Sequence, residues 1–259
     1  MSFERMDSNI SLPSELCQAI VNGILNGYKD YLEARRQAYN ALRVSAAYAW
    51  TKGNHIDSSV YKEFEKYRQV KSSVEKAGYA WEYLQFILED TSGEKYLIIV
   101  KNSRGIKKAF NGQTDGVKTN NYLREYAGIN NSFIDRTVLK TVPSEKVVQL
   151  ELPGLGREGK EIATEDVVSY DRFYIVTCEF DSQSKMISKI ALTIPNQAEM
   201  TLIEVADLTP LIENSTHSIS DEELEVAKTD KLPDGIYDEN HTFGYEVASE
   251  KQTDTKEAN

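Results

Sequence analysis

The sequence predicts an α+β fold, in which an N-terminal helical layer packs on a largely antiparallel β-sheet and an acidic, disordered C-terminal tail follows. Three observations support this prediction. Apolar residues recur at helical spacing up to about residue 78, and at strand spacing from Tyr79 onward. After Thr216 the chain becomes polar and rich in acids. Because helices and strands are segregated along the chain, a doubly wound parallel sheet is not expected.

Three helices are predicted in the first 78 residues. The first begins near Glu15, and Gly27 is expected to end it because glycine is the usual residue just past a helix. The second covers residues 28–50 and the third residues 58–78. The second helix carries an apolar stripe at spacings of three and four residues. Its members are Tyr28, Leu32, Tyr39, Leu42, Ala46 and Ala49.

The strand predictions begin with a β-hairpin. The apolar segments WEYLQFILED and KYLIIVK are joined by the turn sequence TSGE, and apolar residues on both faces favour a central position in the sheet. Residues 102–131 predict an irregular segment with one short helix near residues 120–126. Further strands are predicted at SEKVVQLELP, RFYIVTCEF, KMISKIALTIP and EMTLIEVAD, and a short helix or turn at ADLTPLIE. The expected organisation is one domain with a helical portion, 1–78, and a mainly antiparallel portion, 79–215, followed by the tail, 216–259.

The net charge of −11 is unevenly distributed. Residues 216–259 hold 12 acids and 4 lysines, which gives −8, whereas the other 215 residues hold 29 acids and 26 bases, which gives −3. The acidic balance disfavours non-specific nucleic-acid binding, although a locally basic face on the body is compatible with it. The tail contains too few apolar residues to offset the entropy of ordering, so disorder is expected from Thr216 onward.

Cysteine usage and hydropathy point to the cytoplasm. Cys17 and Cys178 are far apart and lack CxxC spacing, so neither a disulfide framework nor a zinc site is expected. The N-terminus lacks the pattern of a secretory signal, and no stretch approaches the roughly 20 apolar residues that span a bilayer. We therefore expect a cytoplasmic protein with no membrane partner.

The stretch AYAWTKGNHID, residues 47–57, has a structural interpretation as a helix end followed by a helix start. Trp50 then anchors the first helix, and Lys52 complements the negative end of its dipole. Gly53 takes the left-handed cap position, and Asp57 or Ser58 caps the next helix. This interpretation is the favoured one.

The same stretch also has a functional interpretation. His55 is the only histidine before the tail, and an imidazole oriented by Asp57 or Asn54 is a candidate general base because it titrates near neutrality. In the structural interpretation, Asn54 and His55 are simply the turn. No GxSxG motif or recognisable catalytic cysteine supplies a nucleophile.

An alternative is a divergent metal-dependent nuclease with a restriction-endonuclease-like core. Such cores place acids and a lysine of the (Asp/Glu)-x-Lys type around a hairpin, where they bind metal and activate water. Here Glu82, Asp90 and Lys101 follow that order, but the triplet reads IVK and lacks its acid. Glu94 and Glu151 would have to substitute for it. Magnesium is expected only under this alternative, and otherwise no metal or cofactor is expected.

Two groups of basic residues are candidate anion-binding sites. Lys107 and Lys108 lie in a glycine-rich polar segment, which is not a GxxxxGK[ST] loop and is interpreted as an ordinary loop. The second predicted helix carries a set that fits a phosphate backbone. Its members are Arg35, Arg36, Arg43 and Lys52. A solvated helix face paired with acids explains the same residues and is favoured.

Three segments, AYAWTKGNHID, AGYAWEYLQF and ADLTPLIE, resemble stretches of an uncharacterised protein family from Gram-positive bacteria and their prophages. The resemblance covers the body and omits the tail. It implies a cytoplasmic, bacterial or phage-borne protein of the kind found in defence, counter-defence or toxin–antitoxin systems, and it carries over no catalytic residue. With no complete catalytic set, we expect binding or regulation through a protein partner, and the nuclease remains the alternative.

Overall fold

The computed structural model describes residues 11–77, 81–110, 122–138 and 169–228. In these ranges six strands form one mixed, mostly antiparallel sheet, and helices pack on both of its faces. The predicted α+β class is therefore confirmed.

The N-terminal layer consists of helices α1, Ser14–Ala41, and α2, Lys52–Phe64, joined through a short 3₁₀ helix at Ala46–Thr51. The prediction that a helix ends at Gly27 is wrong, because α1 continues through this residue. Gly27 is instead the point where α2 comes closest. A Cβ atom on Gly27 would lie 2.5 Å from the Cα of Ile56, and one on Gly23 would lie 2.6 Å from the Cα of Val60.

The strands are β1, Val70–Ala77; β2, Trp81–Glu89; β3, Lys95–Asn102; β4, Arg172–Phe180; β5, Ile187–Asn196; and β6, Thr201–Asp207. They lie side by side in chain order, and all neighbours are antiparallel except β3 and β4. The predicted hairpin and the last three strands are confirmed. The predicted strand at residues 144–153 lies outside the described residues.

Strand β1 corrects the prediction that residues 1–78 are wholly helical. Val70 and Val74 are four residues apart, a spacing that fits a helix. The segment instead pairs along its full length with β2, from Val70 opposite Leu88 to Ala77 opposite Trp81. The backbone hydrogen bonds of this edge pairing override a weak local preference.

The crossover from β3 to β4 contains helices α3, Ser103–Ala109; α4, Tyr122–Ala127; and α5, Asn131–Val138. The short helix predicted near residues 120–126 is confirmed as α4, whereas α3 was not predicted. Asn102 caps α3 by accepting a hydrogen bond from the Arg104 backbone N–H at 2.9 Å.

Two apolar cores lie on opposite faces of the sheet. The first is formed by α1 and α2 against side chains that include Phe86, Ile98, Tyr174, Ile190 and Leu192. The second is formed by the crossover helices against Leu97, Ile99, Phe173 and Ile175. Both faces of the central strands are therefore buried, as the apolar character of the hairpin predicted.

The prediction of disorder from Thr216 onward is wrong for its first part. Helix α6, Asp221–Lys228, packs on α1, and its Leu224 is fully buried against Tyr28, Tyr31 and Leu32. Ser220 and Glu223 form a capping box, in which each side chain accepts a hydrogen bond from the other residue's backbone N–H. The rest of the predicted tail, residues 229–259, lies outside the described residues.

Candidate functional site

Exposed apolar side chains concentrate where α1 ends. Tyr39 is 54% exposed, Leu42 45%, Val44 84% and Tyr48 41%. In the rest of the described chain, the exposed large apolar residues Tyr61, Val74 and Met186 are distant from one another in sequence. We refer to Tyr39, Leu42, Arg43, Val44 and Tyr48 as the α1-end patch.

The patch exists because α1 is longer than the surface that covers it. A helix of 28 residues spans roughly 42 Å. Its buried residues stop at Ala38. The last turn and the connection to α2 therefore leave the core while still carrying apolar side chains.

The charged residues within residues 34–56, which include the patch, are all positive. Residues 34–56 contain no Asp or Glu, although the whole chain has 41 acids, and their charged residues are Arg35, Arg36, Arg43 and Lys52. The structure does not assemble these four into one basic face. Arg35 is only 4% exposed and Arg36 pairs with Glu33, whereas Arg43 is exposed.

Arg35 instead holds the connection after α1 in place. Its Nη1 donates a hydrogen bond to Oγ of Ser45 at 3.0 Å, and its guanidinium lies 6.0 Å from the ring centre of Tyr39. A buried guanidinium is stabilised when its hydrogen bonds are made within the protein. Arg35 therefore links α1 to the segment that carries Arg43 and Val44.

The stretch at residues 47–57 is arranged differently from the prediction. Helix α2 begins at Lys52, so Gly53 is not a left-handed helix end, and it has no positive φ. Trp50 lies in the 3₁₀ helix, and Asn54 is exposed in the first turn of α2. Asp57 does not cap a helix, because it lies inside α2 and accepts a hydrogen bond from the Leu84 backbone N–H at 3.2 Å. It thus ties α2 to β2.

Lys52 points into a group of aromatic rings rather than toward solvent anions. Its Nζ lies 4.1 Å from the ring centre of Phe180, 5.7 Å from that of Tyr28 and 5.8 Å from that of Tyr31. A cation held against ring faces gains about 0.5–2 kcal/mol. Lys52 therefore joins α2 to α1 and β4.

His55 is half-buried in α2, with its ring edge-on to Tyr31 at 6.2 Å. Burial lowers its pKa below the ordinary 6.5, the charge of Lys62 lowers the pKa further, and Asp30 opposes the shift. The two thiols do not supply a nucleophile. Burial raises the pKa of Cys17 to about 11 and that of Cys178 to about 12, so both stay protonated at neutral pH.

The three residues of the nuclease alternative do not come together. Asp90 lies in the β2–β3 turn, and Glu82 lies eight residues back along β2, roughly 26 Å at 3.3 Å per residue. Lys101 lies at the opposite end of β3 from this turn. Its Nζ contacts the ring of Tyr83, and neighbouring strand residues point to opposite faces, so Glu82 faces away from it.

Asp90 organises the hairpin turn. Its carboxylate accepts hydrogen bonds from the Ser92 and Glu94 backbone N–H groups at 2.8 and 3.0 Å, and from the Tyr96 hydroxyl at 2.6 Å. Hydrogen bonds from Ser92 and Tyr96 lower the pKa of Asp90 to about 2. These bonds assign Asp90 to the turn, where the polar groups of the hairpin need partners.

Lys101 belongs to an interior aromatic cluster. It is 9% exposed, and its Nζ lies 4.7 Å from the ring centre of Tyr83 and 5.9 Å from that of Tyr122. Gln85 donates hydrogen bonds to the hydroxyls of Tyr83 and Tyr126 at 2.9 and 3.0 Å. Burial raises the pKa of Tyr83, which stays a neutral phenol. The cluster connects β2 and β3 to α4.

Lys107 lies on α3 and pairs with Glu179 of β4, with a distance of 2.8 Å between Nζ and Oε2. The pair is mostly exposed and is of the type that contributes little to stability. The pair connects α3, which follows the carboxyl end of β3, to the carboxyl end of the parallel neighbour β4. The side chain of Lys108 lies outside the described residues.

Metal-binding clusters and membrane-spanning helices are both absent from the part of the chain that the structure describes. No group of three or more His, Cys, Asp or Glu side chains is placed to hold a metal ion there. None of the helices in the same ranges is long and apolar enough to cross a membrane.

No protein-family model, curated protein or solved structure matches this chain. The resemblance to a family from Gram-positive bacteria and their prophages therefore stays a prediction.

Sequence reasoning placed Tyr39 and Leu42 on a buried stripe and missed the α1-end patch. The signal that marks the patch is the absence of acids over residues 34–56, combined with apolar residues that continue past the end of the helix. The capping box of α6 has its own sequence signal, SDEE at residues 220–223, followed by Leu224.

Proposed function

We propose that this chain is a binding protein that acts through contacts with another protein, and that the α1-end patch is its docking surface. One observation carries the proposal, namely that four large apolar side chains are exposed within ten residues of one another. Exposed apolar clusters rimmed by polar groups are typical of interaction sites. Tyrosine and arginine are also the residues most enriched among those that dominate binding energy.

The composition of the patch favours a protein over a nucleic acid. Nucleic-acid binding depends on several Lys or Arg contacts to phosphates. Of the nearby arginines, Arg35 is buried and Arg36 pairs with Glu33, which leaves Arg43 as the exposed cation within the patch. The aliphatic side chains of Leu42 and Val44 gain more from an apolar protein surface than from a phosphate backbone.

The patch is also preorganised. The hydrogen bond from Arg35 to Ser45 and the contact of Arg35 with Tyr39 fix the connection between α1 and the 3₁₀ helix. Binding to a surface that is already ordered costs less conformational entropy than binding to a loop that must be ordered.

The geometry gives no support to the nuclease alternative, since Glu82, Asp90 and Lys101 lie apart. An intracellular, bacterial or phage-borne setting is part of the proposal. It is supported by the resemblance described above and by two buried cysteines that are both free.

The proposal is tested by the double substitution Leu42→Asp with Val44→Asp. We expect partner recovery in quantitative affinity purification, from cells that naturally express the chain, to fall by about tenfold or more, because two apolar contacts are replaced by charges. The matched control carries Val74→Asp and Met186→Asp, which are also exposed but lie on β1 and beside β5. Equal recovery with both double variants, each with wild-type thermal unfolding, contradicts the proposal.

A deletion variant distinguishes binding by the α1-end patch from binding by the acidic C-terminal segment. Residues 229–259 hold eight acids and three lysines and form a second candidate for contact with a basic partner. The deletion must begin after Lys228, since removing residues 216–228 would strip α6 from α1. A fall in recovery assigns part of the binding to this segment, and unchanged recovery assigns it to the patch alone.

A further inference from the structure

We infer that the partner presents an acidic amphipathic helix, which lies along α1 and takes the place of α6. This inference rests on the proposed function and deepens it, because it names the chemistry of the partner and a contact within the chain that opposes binding.

One side of α1 and its C-cap carries apolar residues both beneath α6 and in the patch. Tyr28, Leu32, Tyr39 and Leu42 follow one another at spacings of four, seven and three residues. At about 100° per residue, all four fall within about 80° of one another around the helix. Tyr28 and Leu32 are buried in a cluster with α6, whereas Tyr39 and Leu42 are exposed. The patch therefore lies on the same side of α1 as the surface that α6 covers, and the buried side chain of Arg35 lies between the two.

Helix α6 indicates what kind of segment this side of α1 accepts. Its apolar residues Leu224, Val226 and Ala227 are buried with α1 residues. Its acids are exposed or pair with α1, as Glu223 does with Lys29 at 3.3 Å, and Lys29 also donates a hydrogen bond to the Ser218 carbonyl. Four of the eight residues of α6 are acids. The segment bound to this side of α1 is thus a short acidic amphipathic helix.

The charge of the α1-end patch also favours an acidic helix as the partner segment. Residues 34–56 contain no acid, and Arg43 is exposed within the patch. An acidic helix that continued from the α6 position toward the end of α1 would bring carboxylates to this positive region, where opposite charges favour association. A basic helix would meet repulsion at both Lys29 and Arg43, whereas Glu33, which interacts with Glu223 of α6, has its carboxylate paired with Arg36.

Helix α6 is short enough to be displaced. It has eight residues, and isolated helices of fewer than about 12 residues are marginal in water. Only three of its residues, Leu224, Val226 and Ala227, are buried. Elements that bury few apolar side chains open locally without global unfolding. A partner helix that covered α1 from Tyr28 to Leu42 would span about 21 Å of this side and bury the patch as well, so it would bind more surface than α6 does.

The test uses the full chain and a labelled synthetic peptide with the sequence of residues 216–228, THSISDEELEVAK. In the Leu224→Asp variant, a charge in the buried position releases the chain's own α6. We expect this variant to bind the peptide about tenfold or more tightly than the wild type does, because the competing helix is gone. The control Glu222→Ala changes an exposed residue of α6 and is expected to behave like the wild type.

Two outcomes overturn the inference. One is that the peptide binds the wild type and the Leu224→Asp variant equally, and the other is that it binds neither. Should Leu224→Asp lose its thermal unfolding transition, Ala227→Asp takes its place, because Ala227 is a smaller buried residue of the same helix. Hydrogen exchange gives a second measurement, and equal protection of α6 and the middle of α1 would also overturn the inference, since α6 would then open only on global unfolding.

These results are independent of the proposed function. Neither the peptide assay nor the exchange experiment uses a residue of the α1-end patch, and the Leu42 and Val44 variants leave α6 intact. If the partner is recovered, Leu224→Asp is expected to raise its recovery. Recovery that depends on the patch but does not rise with Leu224→Asp would leave the proposed function standing and overturn the displacement of α6.

Discussion

The buried side chain of Asn130 makes hydrogen bonds with backbone groups of β4 and β5 where these strands do not pair with each other. Its Oδ1 accepts a hydrogen bond from the Phe173 backbone N–H at 2.8 Å, and its Nδ2 donates to the carbonyls of Phe173 and Pro195 at 2.9 and 3.1 Å. Pro195 has no N–H to donate. The paired register of β4 and β5 stops at Ile175 opposite Thr193, so the Asn130 side chain supplies the bonds that the next positions lack.

We expect Asn130→Ala to lower the free energy of unfolding by about 2–4 kcal/mol, because it leaves several buried backbone groups without partners. Urea unfolding followed by circular dichroism measures the change. The matched control is Asn131→Ala, since Asn131 is exposed and its side chain donates a hydrogen bond to Oε1 of Gln197, an exposed contact. Its cost should stay below about 0.5 kcal/mol. Similar losses for both variants would contradict this role of Asn130.

The half-buried position of His55 leads to a prediction about pH. Because burial lowers its pKa in the folded chain below 6.5, the unfolded chain binds more protons as the pH falls through 6.5. His55 therefore opposes folding increasingly as the pH falls from about 6.5 toward its folded pKa, and has almost no such effect well above 6.5.

NMR titration of the His55 ring should give a midpoint below 6.5 in the native chain, and a midpoint near 6.5 in denaturant. The His55→Gln variant should also lose less stability than the wild type between about pH 7 and pH 5. A native midpoint at or above 6.5 would show that the imidazole is solvated or paired with an acid.

At the scale of elements, the contact between α1 and α2 depends on two glycines one turn apart. Gly23 and Gly27 allow the backbones of the two helices to approach, since any Cβ there would lie within 2.7 Å of a backbone atom of α2. From the sequence, Gly27 was expected to end the first helix. The role of both glycines became visible only when α2 was placed beside them.

We expect Gly23→Ala and Gly27→Ala each to destabilise the chain by about 1–3 kcal/mol, although alanine is the better helix former by about 1 kcal/mol. The control is Gly53→Ala in α2, where a Cβ would meet nothing within 4 Å. That substitution should be neutral or stabilising by up to about 1 kcal/mol. Thermal unfolding of the three variants decides the matter, and a stabilised Gly23→Ala would refute the close approach.

Two of the elements that the sequence misassigned, β1 and α6, are short, and each depends on a neighbouring element. Strand β1 has its valines at helical spacing, but its backbone pairs with β2. Helix α6 has half its residues acidic and would not be stable alone, but its capping box and Leu224 allow it to pack on α1. A local sequence pattern carries no information on contacts that form only when another element lies beside it.

At the scale of the whole molecule, both cysteines lie in the core between α1, α2 and the sheet. They are 161 residues apart in sequence, yet both are closed off by the same layer of helices. Their reactivity therefore reports on opening of the fold as a unit.

We expect a thiol reagent such as DTNB at about pH 8 to react with neither thiol on mixing, because burial keeps both protonated and inaccessible. After unfolding in guanidinium, both should react at once. Single Cys17→Ser and Cys178→Ser variants separate the two rates. If one native thiol reacts rapidly while the other does not, the layer opens locally and not as one body.

The sequence by itself determined the α+β class, the β2–β3 hairpin, strands β4 to β6 and the short helix α4. These elements depend on apolar periodicity and turn residues. Both are local properties of the sequence, which do not change with the way that distant segments pack. The same local pattern placed Tyr39 and Leu42 on an apolar stripe, but could not tell whether that stripe would be covered.

Only the tertiary structure decided which charged residues are buried and which apolar residues are exposed. Arg35, Lys52 and Lys101 do not form the predicted sites, because each packs against a hydroxyl or an aromatic ring of another segment of the chain. Conversely, the α1-end patch is exposed because α1 extends past its partners. Burial depends on contacts between segments far apart in sequence, and their combined free energy exceeds any preference that a single segment carries.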